Sequence, residues 1–103
     1  MTETRRQKIE RLLASSPNDP FLLYGLAMAM IAEGDEAGGI AKLRAMTETH
    51  PDYHAAYFQL GQCLTKSGDV EEAKEWLERG SAIAAKVGDV KAAREMADFA
   101  DAL

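Results

Sequence analysis

The sequence predicts an all-α fold, a stack of antiparallel helix hairpins, and two observations support this prediction. The first is a helical spacing of apolar residues, clearest in residues 57–77, where two amphipathic stretches flank a Gly-Asp turn. The second is an upstream copy of this segment at one constant offset, about 34 residues. A helix-turn-helix unit that recurs at a fixed period indicates a repeat protein, because each unit must bury its apolar face against its neighbours.

The repeat extends over both helices of the unit. The matched positions, each separated by this same offset, are Leu26 and Leu60, Ala27 and Gly61, Met30 and Leu64, Gly34-Asp35 and Gly68-Asp69, Gly39 and Ala73, Leu43 and Leu77, and Pro17 and Pro51. Together with Leu23 and Tyr57, these residues resemble the tetratricopeptide repeat family. The chain departs from the family pattern at Gly39, at Met30 and Leu64, and at Ala85, where the family has alanine, an aromatic residue and proline, respectively.

The resemblance implies a right-handed superhelical stack of about six helices in a single domain, residues 1–103. In that arrangement residues 2–16 form an N-terminal packing helix, residues 20–53 and 54–87 form two repeats, and residues 88–103 form a C-terminal capping helix. Terminal helices of this kind seal the apolar ends of a helical stack.

The N-terminal helix is predicted over residues 2–15, with Thr2 or Thr4 as its cap. Ile9, Leu12 and Leu13 form its apolar stripe, and the segment from Ser15 to Asn18 ends it. In the repeat register this helix takes the place of a second helix whose first helix is missing.

The first helix of the first repeat runs from Pro20 to about Glu33, and Asp19 is its expected N-cap. This helix is apolar nearly all round, which predicts either cover on both sides or an adhesive surface. Its residues expected to face the hairpin partner are Leu23, Leu26, Ala27 and Met30. The second helix is predicted over residues 36–49, capped by Asp35. Gly39 allows close helix packing, whereas Gly38 has no evident role and marks an expected fraying site.

The second repeat is predicted to hold helices over residues 53–66 and about 70–87. Asp52 is the expected cap of the first, and Asp69 with Glu72 resembles a capping box at the second. We expect Trp76 to lie in the core or against the C-terminal helix. That last helix, residues 90–103, carries an apolar stripe of Val90, Ala93, Met96 or Ala97, Ala100 and Leu103.

Composition narrows the class of function. The net charge of −5 and the pI near 5.0 disfavour binding to nucleic acid or to an anionic membrane, because both partners select a basic surface. The single cysteine cannot form an internal disulfide, and residues 1–8 lack the apolar core of a signal peptide. We therefore expect a cytoplasmic protein with no membrane association.

Residues capable of catalysis or metal binding form no recognisable motif. His50 and His54 have the spacing of helical metal ligands, but Pro51 separates them, so we interpret them as solvated junction residues. Cys63 has no neighbouring base that would activate a thiol. We expect no catalytic residues, no metal and no cofactor, and hence no enzyme.

The resemblance implies instead a concave surface, lined by the first helix of each repeat, that binds a protein or peptide partner. Carried over position by position, this surface consists of Phe21, Tyr24, Met28, Ile31, Phe58, Gln62, Thr65 and Lys66. Tyr24 and Phe58 stand where some members begin a basic clamp for a terminal carboxylate, so that clamp is absent. Two alternatives stay open: the terminal helices, with Met96 and Phe99, fill this space, or a second copy covers it in a homodimer.

Overall fold

A computed structural model describes residues 2–103 and contains six helices. They are α1 (Arg5–Ser15), α2 (Pro20–Ala32), α3 (Glu36–Thr49), α4 (His54–Ser67), α5 (Val70–Lys86) and α6 (Val90–Asp101). No strand occurs within the described residues. The all-α prediction is confirmed, and each helix begins and ends within three residues of its predicted bounds.

Consecutive helices pack against one another along an elongated molecule of 46 × 29 × 20 Å. The hairpins α2–α3, α4–α5 and α5–α6 make the most extensive contacts, and α1 packs on α2. Three turn glycines make this zigzag possible: Gly34, Gly68 and Gly88 have φ angles of 94°, 93° and 89°, respectively. Residues with a Cβ atom rarely adopt this left-handed conformation, which ends a helix sharply.

Several helix starts follow the sequence prediction. The Asp19 carboxylate accepts a hydrogen bond of 2.9 Å from the Phe21 backbone N–H, and Asp35 accepts one of 2.9 Å from Gly38. At α1 the cap is Thr4 rather than Thr2, and Thr4 forms a reciprocal capping box with Gln7.

Two predicted caps are wrong. The helix α4 begins after Tyr53 without a side-chain cap, and the Asp52 carboxylate lies 3.4 Å from Lys86 Nζ instead. Asp69 occupies the N-cap position of α5, but it forms no capping hydrogen bond and therefore no capping box with Glu72. Its carboxylate instead accepts a hydrogen bond of 3.2 Å from the Ser67 hydroxyl.

The buried apolar residues form three clusters along the stack. The central cluster joins the two repeats and consists of Ala27, Leu43, Met46, Ala56, Leu60, Leu64 and Ala73. The N-terminal cluster, beneath α1, consists of Ile9, Leu26, Ala29 and Met30. The C-terminal cluster, beneath α6, consists of Leu77, Ala84, Met96 and Ala100.

These clusters correct the predicted role of several residues. Leu26 and Met30 belong with Ile9 of α1 rather than facing only the hairpin partner α3. The all-round apolar helix α2 is thus covered on two sides, since Ala27 on another face belongs to the central cluster. In α6 the predicted stripe is too long, because Val90 and Leu103 at its ends are exposed.

Trp76 packs against the central cluster, not against α6. Its indole ring lies 5.9 Å from the Tyr57 ring, and its Nε1–H donates a hydrogen bond of 3.0 Å to Glu72. Glu72 also pairs with Arg44 of α3, so this corner of α5 connects the second repeat to the first.

Glycines inside helices mark close helix contacts. A Cβ atom on Gly39 would lie 2.9 Å from the Ala27 carbonyl oxygen, which confirms the predicted packing role. Gly38, expected to be a fraying site, lies within the continuous helix α3. A Cβ atom there would collide with its own cap residue Asp35 and lie 2.5 Å from Met30 Cε, so the position has a steric reason to lack a side chain.

Candidate functional site

An open groove of about 390 Å³ lies between α1 and α2. Its lining is mainly apolar and includes Ile9 and Leu12 from α1 and Phe21, Leu22, Tyr24, Gly25 and Met28 from α2; Arg5 and Lys8 from α1 complete it. We call this feature the α1–α2 groove. Three of the residues predicted to bind a partner, Phe21, Tyr24 and Met28, lie together in it.

Phe21 is the most exposed large apolar side chain of the described residues, with 73% of its surface accessible. Its position follows from the start of α2, because Asp19 caps the helix at the Phe21 N–H and so fixes the first turn. Leu12, across the groove on α1, is 38% exposed. Two exposed apolar side chains that face one groove are a feature of interaction surfaces rather than of a sealed core.

Tyr24 and Phe58 occupy equivalent positions in the two repeats, and each packs partly on a neighbouring element. The Tyr24 ring lies 5.6 Å from that of Tyr53, and the Phe58 ring meets that of Phe99 edge-on at 6.2 Å. Burial raises the pKa of the Tyr24 hydroxyl above its ordinary value, with smaller contributions from Tyr53 and Cys63. Both aromatic residues therefore help to hold successive helices together.

The other predicted residues lie apart from the α1–α2 groove. Ile31 is half-buried against the central cluster and faces Gly39 of α3. On α4, Thr65 donates a hydrogen bond of 2.7 Å to the Gly61 carbonyl oxygen, and Gln62 and Lys66 are exposed. Lys66 Nζ lies 3.6 Å from Glu36, a surface ion pair.

The terminal helices cover only part of the predicted surface. Phe99 of α6 covers Phe58, and Met96 is fully buried in the C-terminal cluster. By contrast α1 buries Ile9 but leaves the neighbouring groove open beside Phe21 and Met28. The surface is thus closed at its α4–α6 end and open at its α1–α2 end.

Sequence reasoning missed the contribution of α1 to this groove. Arg5 and Lys8 line it, and neither forms an ion pair with any residue from 2 to 103. Other charged residues of α1 are paired: Arg6 with Glu33 at 3.2 Å, and Arg11 with Glu3 at 2.9 Å. No signal in the sequence indicates this groove, because the way α1 docks on α2 depends on packing outside the two repeats.

The two histidines lie at separate junctions between helices, and both are partly exposed. His50 caps the end of α3, and its Nε2 lies 2.9 Å from the Asn18 carbonyl oxygen. His54 begins α4, and its Nε2 lies 3.2 Å from Asp89. Each ring therefore connects a helix end to the loop of a neighbouring hairpin.

Cys63 is buried on α4, and burial is the main cause that raises the pKa of its thiol. A raised pKa disfavours the nucleophilic thiolate. Among residues 2–103 no group of three or more histidine, cysteine, aspartate or glutamate side chains is placed to hold a metal ion. None of the helices described is both long and apolar enough to cross a membrane.

The stack of hairpins with a constant period defines an α-helical repeat protein, and comparison with known proteins identifies the family. The family model described as tetratricopeptide repeat matches residues 30–97, from the last turn of α2 into α6. The chain therefore belongs to the tetratricopeptide repeat family, whose domains are generally protein-interaction modules and typically not enzymes.

Individual relatives share both sequence and fold. A TPR repeat-containing protein of Pseudomonas aeruginosa is 32% identical over 91 residues, which is 88% of this chain and 87% of that protein. The solution structure of a tetratricopeptide repeat domain protein from Salinibacter ruber has a TM-score of 0.79 at 27% identity, covering 82% of this chain and 85% of that one. A protein from Bordetella parapertussis has a TM-score of 0.80 at 25% identity, covering 97% and 87%, respectively.

Proposed function

We propose that this chain binds a segment of another protein through the surface formed by the first helices of its repeats, and that it acts as a cytoplasmic adaptor rather than as an enzyme. The α1–α2 groove is the apolar part of that surface. Exposed Gln62 and Lys66 of α4 supply its polar part. Tyr24 lines the groove and also packs on Tyr53, whereas Phe58 and Ile31 pack on neighbouring helices and Thr65 bonds to the backbone of its own helix.

The observation that carries the proposal is the exposure of Phe21 beside Met28, Tyr24 and Leu12 in an open groove. A large aromatic side chain placed in solvent contributes little to folding, whereas aromatic residues are enriched at interaction hot spots. Methionine adds an adaptable apolar contact, because its side chain is flexible and polarizable. The family as a whole, which generally binds proteins, supports the same conclusion.

The proposal is tested by substituting Phe21, because Tyr24 and Phe58 also hold the fold together. The Phe21→Ser variant and wild type serve as baits in a lysate of the source organism, and quantitative mass spectrometry compares the captured proteins. The matched control is Val90→Ser, since Val90 is 68% exposed and also lies in the first turn of a helix. We expect one or more proteins to be captured by wild type and by Val90→Ser but lost with Phe21→Ser.

Two results would count against the proposal. Equal capture by all three baits places recognition elsewhere on the chain. A concentration-dependent mass increase in light scattering that Phe21→Ser removes would show that a second copy covers the same surface.

A further inference from the structure

We propose that Met28 is a reversible oxidation site, at which a peroxide converts the thioether to a sulfoxide and so makes the apolar lining of the α1–α2 groove polar. The modification itself is independent of the proposed function, whereas its effect on partner binding rests on that function. Three observations support the site: the exposure of Met28 among the methionines, its position in the repeat, and the burial of the cysteine thiol.

Met28 is the accessible methionine of the described chain. Four of the five methionines lie within residues 2–103, and they are Met28, Met30, Met46 and Met96. The last three are 7%, 2% and 0% exposed, respectively, whereas Met28 is partly exposed and lines the α1–α2 groove. A peroxide reaches the sulfur of a buried methionine only when the structure opens locally. Met28 is therefore the methionine that reacts in the folded protein.

The accessibility of this position is a property of the repeat, not of one end of the molecule. Met28 and Gln62 stand at equivalent positions in the first helices of the two repeats, and Gln62 is also exposed. The residues on either side of Met28, Ala27 and Ala29, are buried, so Met28 lies on the accessible face of α2. Each repeat thus presents one side chain at this point of its first helix, and in the first repeat that side chain is a thioether.

The single cysteine does not compete for the oxidant. Peroxides react with the thiolate form of cysteine rather than with the thiol. Cys63 is buried, and burial is the main cause that raises the pKa of its thiol. Limited access and a small thiolate fraction both protect Cys63, so the thioether of Met28 is the most reactive sulfur of the described residues.

The reaction is a two-electron oxygen transfer. The sulfur lone pair attacks one oxygen of hydrogen peroxide, an S–O bond forms as the O–O bond breaks, and the second oxygen leaves as water after proton transfer. Methionine is oxidised to the sulfoxide, and the peroxide is reduced. A methionine sulfoxide reductase reverses the step with two electrons from a dithiol, which becomes a disulfide, and the oxygen leaves as water. The sulfoxide places a strong hydrogen-bond acceptor in a groove whose lining is mainly apolar.

The site is tested by limited oxidation of the full chain with hydrogen peroxide, in which peptide mass spectrometry follows the addition of oxygen at each methionine. We expect Met28 to react at least about tenfold faster than Met30, Met46 or Met96, because a buried sulfur requires local opening. In urea that unfolds the chain, all four methionines should react at similar rates. The fast addition should be lost in Met28→Leu and kept in Met30→Leu, a matched control that removes a buried methionine from the same helix. A methionine sulfoxide reductase with dithiothreitol should restore the original mass.

Capture from desalted lysate measures the effect on the groove, and the probes are the proteins that wild type captures and Phe21→Ser loses. We expect prior oxidation of the wild-type bait to reduce their capture about fivefold or more, because a sulfoxide oxygen buried against an apolar partner loses its hydrogen bonds to water. Met28→Gln imitates the polarity of the sulfoxide without an oxidant, and Gln62 at the equivalent position shows that the fold accepts it. We expect Met28→Gln to reduce capture similarly. Peroxide should cause no further change in the capture by Met28→Leu.

Four results would overturn the proposal in whole or in part. Oxygen that adds first to Cys63 or to a buried methionine would remove the site. Equal capture by oxidised and untreated wild type, with capture still lost in Phe21→Ser, would remove the effect on the groove and leave the proposed function intact. Equal capture by wild type and Phe21→Ser would remove the proposed function and with it the effect on binding, while the mass spectra decide the oxidation site independently. A loss of the helical circular dichroism signal on oxidation would show that the sulfoxide unfolds the chain instead of changing the groove.

Discussion

At the residue scale, glycine positions show how tightly the repeats are packed. Gly61 of α4 faces Leu77 of α5, and a Cβ atom at Gly61 would lie 2.5 Å from Leu77 Cδ2. Leu77 is fully buried in the C-terminal cluster. Gly25 of α2 is different, because its nearest neighbour, the tip of the Ile9 side chain, would be 3.4 Å away, an ordinary contact.

The two glycines therefore predict opposite effects of alanine. We expect Gly61→Ala to destabilise the protein by roughly 1–2 kcal/mol. Overpacking costs about 1–3 kcal/mol, and the higher helix propensity of alanine offsets up to about 1 kcal/mol of this cost. We expect Gly25→Ala to stabilise it by about 0.5–1 kcal/mol. Urea unfolding measures the free energy of unfolding of both variants. A Gly61→Ala protein as stable as wild type would contradict the close contact between Gly61 and Leu77.

Glu72 makes the stability of the protein depend on pH, because its carboxylate accepts hydrogen bonds from both Arg44 and Trp76. The hydrogen bond from Arg44, followed by that from Trp76, lowers the pKa of Glu72 below its ordinary value of 4.5. A lowered pKa in the folded state means that the contribution to stability is present above pH 4.5 and is lost as the pH falls through the folded-state pKa.

Trp76, the only tryptophan, reports this protonation. We expect its fluorescence to change on acidification with a midpoint below 4.5, and the midpoint to rise toward 4.5 at high salt, as screening of an exposed pair requires. The Glu72→Gln variant should lack this transition, whereas Glu71→Gln should keep it. A wild-type transition retained in Glu72→Gln would assign the signal to another carboxylate.

At the element scale, an aspartate at the N-cap position does not always form a capping hydrogen bond. Asp19 and Asp69 both precede a helix, but only Asp19 accepts hydrogen bonds from the first turn. Asp69 instead accepts one from Ser67, an interaction confined to this hairpin, because the matching residue of the first hairpin is Glu33.

This difference predicts unequal costs of removing the two carboxylates. We expect Asp19→Ala to lower the free energy of unfolding by about 1 kcal/mol, as for other helix caps, and Asp69→Ala to lower it by only a few tenths. Thermal unfolding followed by circular dichroism measures both variants. Similar costs would show that Asp69 caps α5 in solution.

The helices themselves could be predicted from sequence because turn glycines, caps and helical spacing all indicate the same boundaries. What each face contacts could not be predicted for α2. Its residues are apolar nearly all round, so no polar side distinguishes the face toward α1 from the face toward α3. The same uniformity explains why the sequence does not predict the contact of Leu26 and Met30 with α1.

At the scale of the whole molecule, stability is distributed unevenly along the stack. Only Ile9 is buried in α1, whereas α4 buries Ala56, Tyr57, Leu60, Gly61, Cys63 and Leu64. In a repeat protein each helix is held mainly by its neighbours, so the end with the fewest buried contacts opens first.

Hydrogen exchange tests this gradient. We expect amides of α1 to exchange at least about tenfold faster than those of α4, and Ile9→Ala to accelerate exchange in α1 with little effect elsewhere. By comparison, Leu60→Ala should lower the global free energy of unfolding by about 2–5 kcal/mol, because it removes a fully buried side chain. Uniform protection across all helices would indicate a single cooperative unit instead.

The candidate site could be predicted in part. Phe21, Tyr24 and Met28 follow from the family resemblance, which implies that the first helix of a repeat lines the binding surface. The contribution of Arg5, Lys8 and Leu12 could not be predicted, because the way α1 docks depends on packing outside the repeats. Sequence also could not separate exposed Phe21 from half-buried Tyr24, since aromatic residues suit a core and a binding surface equally.

The partial burial of Tyr24 and Phe58 has a mechanical consequence. The Tyr24 ring contacts Tyr53 at the start of α4, and the Phe58 ring contacts Phe99 of α6, so each ring connects one hairpin to the next. A guest that pushes against Tyr24 also bears on Tyr53, at the start of the next hairpin. Displacement of the Tyr24 ring would therefore also disturb the junction between the two repeats.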